Sequence, residues 1–262
     1  PEYVGILTSG SVEFVTLGNN HVEDYGEQGY ADTKATLDDA GIGYAGRDEY
    51  TIYETESGLK IGVYAVSFGK VSQIQAGIAA LKEAGAEFII AALHWGDEGS
   101  YDVNSRQLEQ GHAAIDAGAD VVYGSHPHTL QPIEVYNGHY IFYSMGNWSF
   151  GGNTAPRDRD TAIVQFTVKR DLDGTVSVEG YEAIPCCLSS TEGVNDYRPV
   201  PYEEGSEAYE RTMSKLDGSF DGPDLVVDYS DFHKNDESAE PTADSADAGA
   251  TEAPADDGTA TE

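Results

Sequence analysis

Basic residues are scarce in this chain. Lys and Arg number 14 against 47 Asp and Glu, a net charge of −33. A surface of that sign repels phosphate backbones and anionic headgroups, so nucleic acid and anionic membrane are excluded as direct partners. A polyanionic substrate would also need bridging cations. Cysteine is nearly absent: the only two, Cys186 and Cys187, are adjacent, and adjacent cysteines bridge each other only with strain. With no CxxC pair and no zinc-ribbon spacing, they read as inert thiols. Long apolar runs are missing too. The longest, residues 88–93, falls far short of the ~18–20 residues a membrane helix needs. The chain begins with proline, and no signal peptide is visible. It reads as a piece of a longer protein, so a missing signal or anchor says nothing about location.

What is present is alternation. Residues 12–17 (VEFVTL) form a β-branched run that ends in the turn-forming cluster Gly18-Asn19-Asn20-His21. A helix is expected over 28–40, with Tyr30, Thr33, Leu37 and Ala40 along one face and Gly41 as its stop. Strands are expected over 50–54 and 60–67, a helix over 74–84, and a strand over 87–93 that ends in His94-Trp95-Gly96. Asn104 is placed to cap a helix running to 117, with Leu108, His112, Ile115 and Ala119 on one face. Residues 120–123 read as a strand leading into Gly124-Ser125-His126-Pro127-His128. Strands alternating with helices indicate an α/β sandwich.

From 132 the pattern becomes all-β. Residues 133–136 and 139–144 flank Asn137-Gly138, the preferred pair for a type I′ hairpin turn. A second pair is expected over 161–169 and 176–183, turned at Asp173-Gly174, and the ordered domain is expected to close near 185–200. Three segments follow: a domain over 1–185, an extension over 186–234, and an acidic tail over 235–262. The tail holds no Lys or Arg and is dominated by Ala, Asp, Glu, Thr, Ser, Pro and Gly. Such a segment buries too little apolar area to offset its ordering entropy and is expected to be disordered.

The chemistry concentrates where strands end. Asn20-His21, His94 and His126-Pro127-His128 each follow an expected strand, and ligands of α/β sheets gather at such ends. Imidazole is the commonest metal-binding side chain. Taken singly, His94 is an ordinary hydrogen-bonded histidine and Asn19-Asn20 ordinary turn chemistry. Their recurrence at successive strand ends is what points to one shared site. His126 and His128 alternate in what reads as an extended segment, so a second metal would give each a target. Glu23 and Asp24 read either as outer groups of this site or as a solvated acidic loop, and Asn147 either as facing the site or as a packing residue. His112 reads as a satisfied core histidine. His139 and His233 have no assigned role.

The stretch LGNNHVEDYGEQGYADTKATLDDAGIGYAG resembles the CapA, or poly-γ-glutamate capsule synthesis, family. So do HWGDEGS, GHAAIDAGADVVYGSHPHTLQPIEVYNGHYIFYS and MGNWSF, in matching order over about residues 1–170. That family belongs to the calcineurin-like metallophosphoesterases. The resemblance implies a four-layer α/β/β/α sandwich, lacking its first strand or strands. It implies Asn20, His94, His126 and His128 as metal ligands and His21 as the catalytic histidine acting on the phosphate or leaving group. It implies two divalent ions (manganese, iron or zinc) that activate water and clamp phosphoryl oxygens. The implied partners are poly-γ-glutamate or its membrane synthase components, at an extracytoplasmic or cell-surface location with an anchor upstream. The family's early Gly-Asp and Asn-Leu-Glu motifs are not recognisable before Asn20. A bridging carboxylate is therefore expected to be missing, and a lost central strand is expected to leave the fragment loosely packed and weak in metal binding. Three functions remain open: a dinuclear-metal hydrolase, a non-catalytic accessory of polymer synthesis, and an inactive remnant.

Deleting the tail from Asn235 is expected to leave the thermal midpoint unchanged, because its composition supplies no core. A drop of several degrees in a melting curve would show that it docks.

Overall fold

The computed structural model describes residues 2–150 and 154–225. The acidic tail and His233 lie outside them. A 3-10 turn (Glu2–Val4) and a short helix α1 (Gly5–Ser9) precede β1 (Phe14–Thr16), α2 (Gly26–Ala40) and β2 (Gly43–Ala45). Next come β3 (Glu49–Glu54), β4 (Lys60–Ser67), α3 (Val71–Glu83), β5 (Phe88–His94), α4 (Ser105–Ala117) and β6 (Val121–Ser125). The hairpin β7 (Ile133–Tyr136) and β8 (His139–Phe142) follows, then β9 (Asp160–Arg170), β10 (Val176–Cys187), β11 (Val200–Pro201) and α5 (Glu207–Asp217).

The central sheet has six strands in the order β3-β4-β5-β6-β8-β7. β4, β5, β6 and β8 are mutually parallel, and β3 and β7 close the edges antiparallel. Each inner strand is paired on both sides, so the interruption expected from a lost central strand does not fall in this sheet. Successive side chains of a strand face opposite ways, and both faces are apolar here. Tyr64 and Val66, Ile89, Ala91 and Leu93, and Ile141 and Tyr143 pack under Ile74, Ile78 and Leu81 of α3 and Ala114 and Ile115 of α4. The alternate residues Phe88, Val121 and Phe142 pack against Val164, Phe166 and Val168 of β9 and Val176 and Val178 of β10. Val63, Ala65 and Ala92 pack against Phe14 and Ala45 of the small β1–β2 pair. The molecule is thus a mixed α/β fold in which helices cover one face of the sheet and further strands the other. The strand layer comes in two pieces, β1–β2 and β11-β10-β9.

The expected elements recur within a few residues of their sequence bounds, and the differences have physical causes. Leu108 does not face inward; it is exposed, and Gln107, Gln110, Gly111, Ala114 and Ile115 form the buried face. The two glutamines are inside because each makes a buried hydrogen bond, Gln107 Nε2 to Gln131 Oε1 and Gln110 Nε2 to the Gly69 carbonyl. An apolar-periodicity reading therefore sets the face one residue out of phase. His112 is only half-buried: it stacks on Tyr136 at 3.9 Å and meets the Glu134 carboxylate at 3.0 Å. Cys186 and Cys187 are free thiols.

No break in packing falls at residue 185. β10 runs through it, and α5 lies beyond the region where the ordered domain was expected to close. Leu216 and Met213 of α5 pack on Leu130, Ala162 and Ala183. An ion cluster ties the helix down. Lys215, 3% exposed, donates to both oxygens of Asp158 at 2.9 Å and to Asp160 at 2.7 Å. Arg211 forks onto Asp160 at 2.8 and 2.7 Å, and the Tyr202 hydroxyl donates to it at 2.9 Å. The helix escaped the sequence reading because its buried face includes a lysine and a threonine.

Lys215→Ala is expected to cost about 3–5 kcal/mol, because it takes the lysine away from the buried Asp158 carboxylate, while Arg211 still holds Asp160. A urea midpoint that does not move would show the cluster to be screened. Burial pushes the Asp160 carboxyl up, but the Arg211 and Lys215 hydrogen bonds outweigh it and hold the group below the usual carboxylate range. A depressed carboxyl pKa stabilises the fold above the unfolded value, and that stability is lost as pH falls through the folded value. Wild type and Lys215→Ala should therefore converge in stability under strong acid.

Candidate functional site

Parallel pairing of β5 and β6 sets His94 opposite Ser125. Their side chains meet there, His94 Nδ1 to Ser125 Oγ, at 2.9 Å. The other ring nitrogen, Nε2, lies 2.8 Å from Oδ1 of Asn20. Asn20 arrives from a different layer, the turn after β1. Gly18 permits this approach: a Cβ there would stand 2.8 Å from the Val66 backbone nitrogen. The loop therefore lies directly on β4, beside the end of β5. Asn19 shapes the turn by accepting from the His21 N–H at 2.8 Å.

His21 is exposed, and its Nδ1 contacts the Asp24 carboxylate at 2.8 Å. That leaves Nε2 as its outward atom. Glu23, the other acid of this loop, pairs instead with Arg47 at 2.8 Å. The two acids thus divide, one holding the histidine and one anchoring the loop.

His126 and His128 are not in extended backbone, as an alternating reading supposes. Their φ angles are +105° and +60°, left-handed conformations that cost free energy in non-glycine residues. This tight double turn around Pro127 brings the rings within 6.2 Å of each other. The His126 ring lies 4.8 Å from that of His94. His128 Nδ1 contacts Oδ1 of Asn147 at 2.6 Å. His126 Nε2 has the Glu98 carboxylate at 3.9 Å, beyond hydrogen-bond reach, and its Nδ1 is buried with no hydrogen-bond partner. A buried unsatisfied nitrogen costs free energy and marks a group ready for a ligand.

Phe68 completes the wall. Its ring stands roughly perpendicular to those of His126 and His94, with centroids 4.8 and 6.1 Å away, and its backbone also takes a positive φ of 47°. Arg106 holds that strained turn by donating to the carbonyls of Phe68 and Gly69. Neither Phe68 nor Ser125 was singled out from sequence. Ser125 follows from the parallel register, which no local pattern announces.

All four expected ligands, Asn20, His94, His126 and His128, thus converge on one rim, with His21 at its edge. The donors are neutral: one amide oxygen and three imidazoles. That chemistry fits a borderline divalent ion. The 2.8 Å between Asn20 Oδ1 and His94 Nε2 matches the spacing of two adjacent ligands on one ion with bonds of about 2.0–2.1 Å. Among the described residues, however, no three His, Cys, Asp or Glu side chains form a ready metal-binding group. The donors fit in type but do not make a closed shell.

Burial, then the neighbouring imidazoles of His126, His128 and His21, hold the His94 pKa down at about 3. Burial also lowers that of His126, against the opposing pull of Glu98. Both rings therefore keep the lone pairs that a ligand needs. In the metal-free chain the His94 ring is expected to stay neutral as pH falls through 6.5, with the fold losing stability between 6.5 and about 3 because only the unfolded state takes up the proton. An NMR titration of the His94 ring with a midpoint near 6.5 would contradict this burial.

Strand ends of two different sheets thus bring imidazoles and an amide to one rim of an α/β fold. The chain belongs to the bacterial capsule synthesis protein PGA_cap family, whose model matches residues 1–151, a stretch that contains every site residue named above. It is 36% identical over 214 residues to the PGA biosynthesis protein CapA of Bacillus subtilis, covering 70% of this chain and 55% of that protein. It is 29% identical over 198 residues to the capsule biosynthesis protein CapA of Bacillus anthracis, covering 64% and 47%. A probable polyglutamine synthesis accessory protein of Mycobacterium tuberculosis is 28% identical over 181 residues, covering 56% and 47%. The chain spans about half the length of the curated relatives it matches.

Proposed function

We propose that this is a CapA-like protein of capsule or poly-γ-glutamate biosynthesis or export, and that its histidine rim is a dinuclear-metal hydrolase site of the phosphoesterase type. The observation that carries the reading is the convergence of Asn20, His94, His126 and His128 from three loops. Asn20 Oδ1, His94 Nε2 and the unsatisfied Nδ1 of His126 are the atoms assigned to one ion, and His128 to a second. Two divalent ions (manganese, iron or zinc) supply Lewis acidity and neutralise charge on phosphoryl oxygens when bound. They also answer the charge problem, since a chain of net −33 has little else to attract an anion. The remaining work falls to the chain itself. Ser125 orients the His94 ring. Asp24 holds His21 by Nδ1, so that Nε2 carries the proton exchanged with the leaving oxygen. Phe68 limits water on one side of the imidazoles. The four-layer sandwich and an extracytoplasmic location, with poly-γ-glutamate or its membrane synthase components as partners, belong to the same proposal.

A second reading is a non-catalytic accessory of the same machinery on this scaffold. It draws on the absence of a ready three-residue metal group among the described residues and on the name of the Mycobacterium tuberculosis relative.

Metal analysis of the intact protein together with turnover of a generic phosphodiester distinguishes the two. Two ions per chain with turnover is the expected result; metal-free, inactive protein favours the accessory. His21→Ala is expected to lower turnover by about 10²–10⁴-fold while leaving metal content intact, as removal of a proton-transfer group does. Metal and activity falling together would make His21 a ligand instead.

A further inference from the structure

We propose that Asn147 is a positioning residue that decides which nitrogen His128 presents to the site. The proposal deepens the metal-site reading and rests on it only for the second of its two measurements.

Asn147 reaches His128 by strand register. The hairpin pairs Tyr136 with His139 and Ile133 with Phe142. The same register continues past the strand ends, where Leu130 bridges Met145 and the Gln131 N–H donates to the Ser144 carbonyl at 3.1 Å. Carried outward by two more residues on each side, it sets His128 opposite Asn147. The buried Ser144 hydroxyl secures the segment by donating to the Thr129 carbonyl at 2.6 Å.

The contact is a closed pair. Asn147 Nδ2 donates to the His128 backbone carbonyl at 3.3 Å, and Oδ1 lies 2.6 Å from His128 Nδ1. A backbone carbonyl only accepts, which fixes the amide with its nitrogen toward the carbonyl and its oxygen toward the ring. The amide oxygen also only accepts, so Nδ1 must carry the hydrogen and donate. His128 is thereby held as the Nδ1–H tautomer, with its lone pair on Nε2. Fixing the tautomer through the second ring nitrogen is how proteins orient a ligating imidazole. His128 needs such a fixture because its backbone is left-handed, and the bond from Nδ2 to its own carbonyl braces that turn. At His94 the Ser125 hydroxyl stands at Nδ1, but a hydroxyl both donates and accepts and so fixes no tautomer there.

The tautomer is read by ¹⁵N-edited NMR of the imidazoles in the metal-free chain, in mildly alkaline buffer, with His128 identified by the signal lost in His128→Gln. Wild type should show a pyrrole-type Nδ1 and a pyridine-type Nε2 at His128. Asn147→Ala should give a mixture of tautomers. Asn147→Asp keeps the acceptor, losing only the longer bond, and should restore the wild-type pattern. The His94 signals should be the same in all three. A wild-type His128 protonated on Nε2 overturns the proposal, as does an Ala variant that keeps the wild-type tautomer or disturbs His94 equally. In zinc titrations, Asn147→Ala should bind about 10–100-fold more weakly and Asn147→Asp recover most of that loss. Unchanged zinc affinity in the Ala variant overturns the positioning role. A wild-type chain that holds the expected tautomer but binds no zinc defeats the metal reading alone and supports the assignment of Asn147.

Discussion

The antiparallel register set at Asn137-Gly138 governs more of this molecule than its hairpin. Both turn residues take positive φ, 50° and 84°, the backbone that a type I′ turn requires. A one-residue slip in that register would turn every side chain of β7 to the other face. It would also take Glu134 away from the Tyr143 hydroxyl and His112, which it now meets. Carried outward, the same register holds Gln131 against Ser144 and His128 against Asn147. A two-residue turn far from the histidines therefore sets the geometry of one of them.

The histidine rim is a low-charge island in a strongly acidic chain. Acidic side chains do approach it, Asp24 at His21 and Glu98 near His126, yet His94 is held neutral by burial and by its neighbouring rings. Desolvation wins there because it acts on the ring itself, while the carboxylates stand farther off or face other histidines. The result is a cluster of lone pairs that a cation, rather than a proton, would satisfy. Net charge alone suggests the opposite, that histidines in so acidic a protein should readily protonate.

The fold was legible in the sequence wherever one element obeys one local rule. The Asn-Gly turn, the Asn104 cap with its bond to the Gln107 N–H, and the Gly41 stop in left-handed backbone are all short-range. The site was legible as residue types at strand ends, which is also a local property. What escaped depends on distant partners. Gln107 and Gln110 look like surface residues until their buried acceptors are known. The extended reading of His126-Pro127-His128 failed because the Gly99 N–H bonds to the Pro127 carbonyl and Asn147 braces His128, contacts made across the fold. The Asn147 pairing could have been read from the hairpin, since a turn residue pair fixes all pairings beyond it as long as no bulge intervenes.

The contacts around α5 give the C-terminal segment a bearing on the same rim. Lys215 and Arg211 hold Asp160, the first residue of β9, through charged hydrogen bonds in a buried setting. Beside it, the Thr161 hydroxyl donates to the Met145 carbonyl at 3.2 Å, and Met145 is two residues from Asn147. Met145 is thus held on both sides, by its bridge to Leu130 and by β9. Replacing a buried ion pair by apolar residues is often neutral or favourable for stability, so stability alone does not explain a lysine and two aspartates here. Their directionality does. The ladder with β10 already sets the register of β9, and a lysine shared between two carboxylates adds a directional tie between α5 and the start of that strand. That strand start holds Met145 through Thr161, and with it the segment from which Asn147 reaches His128.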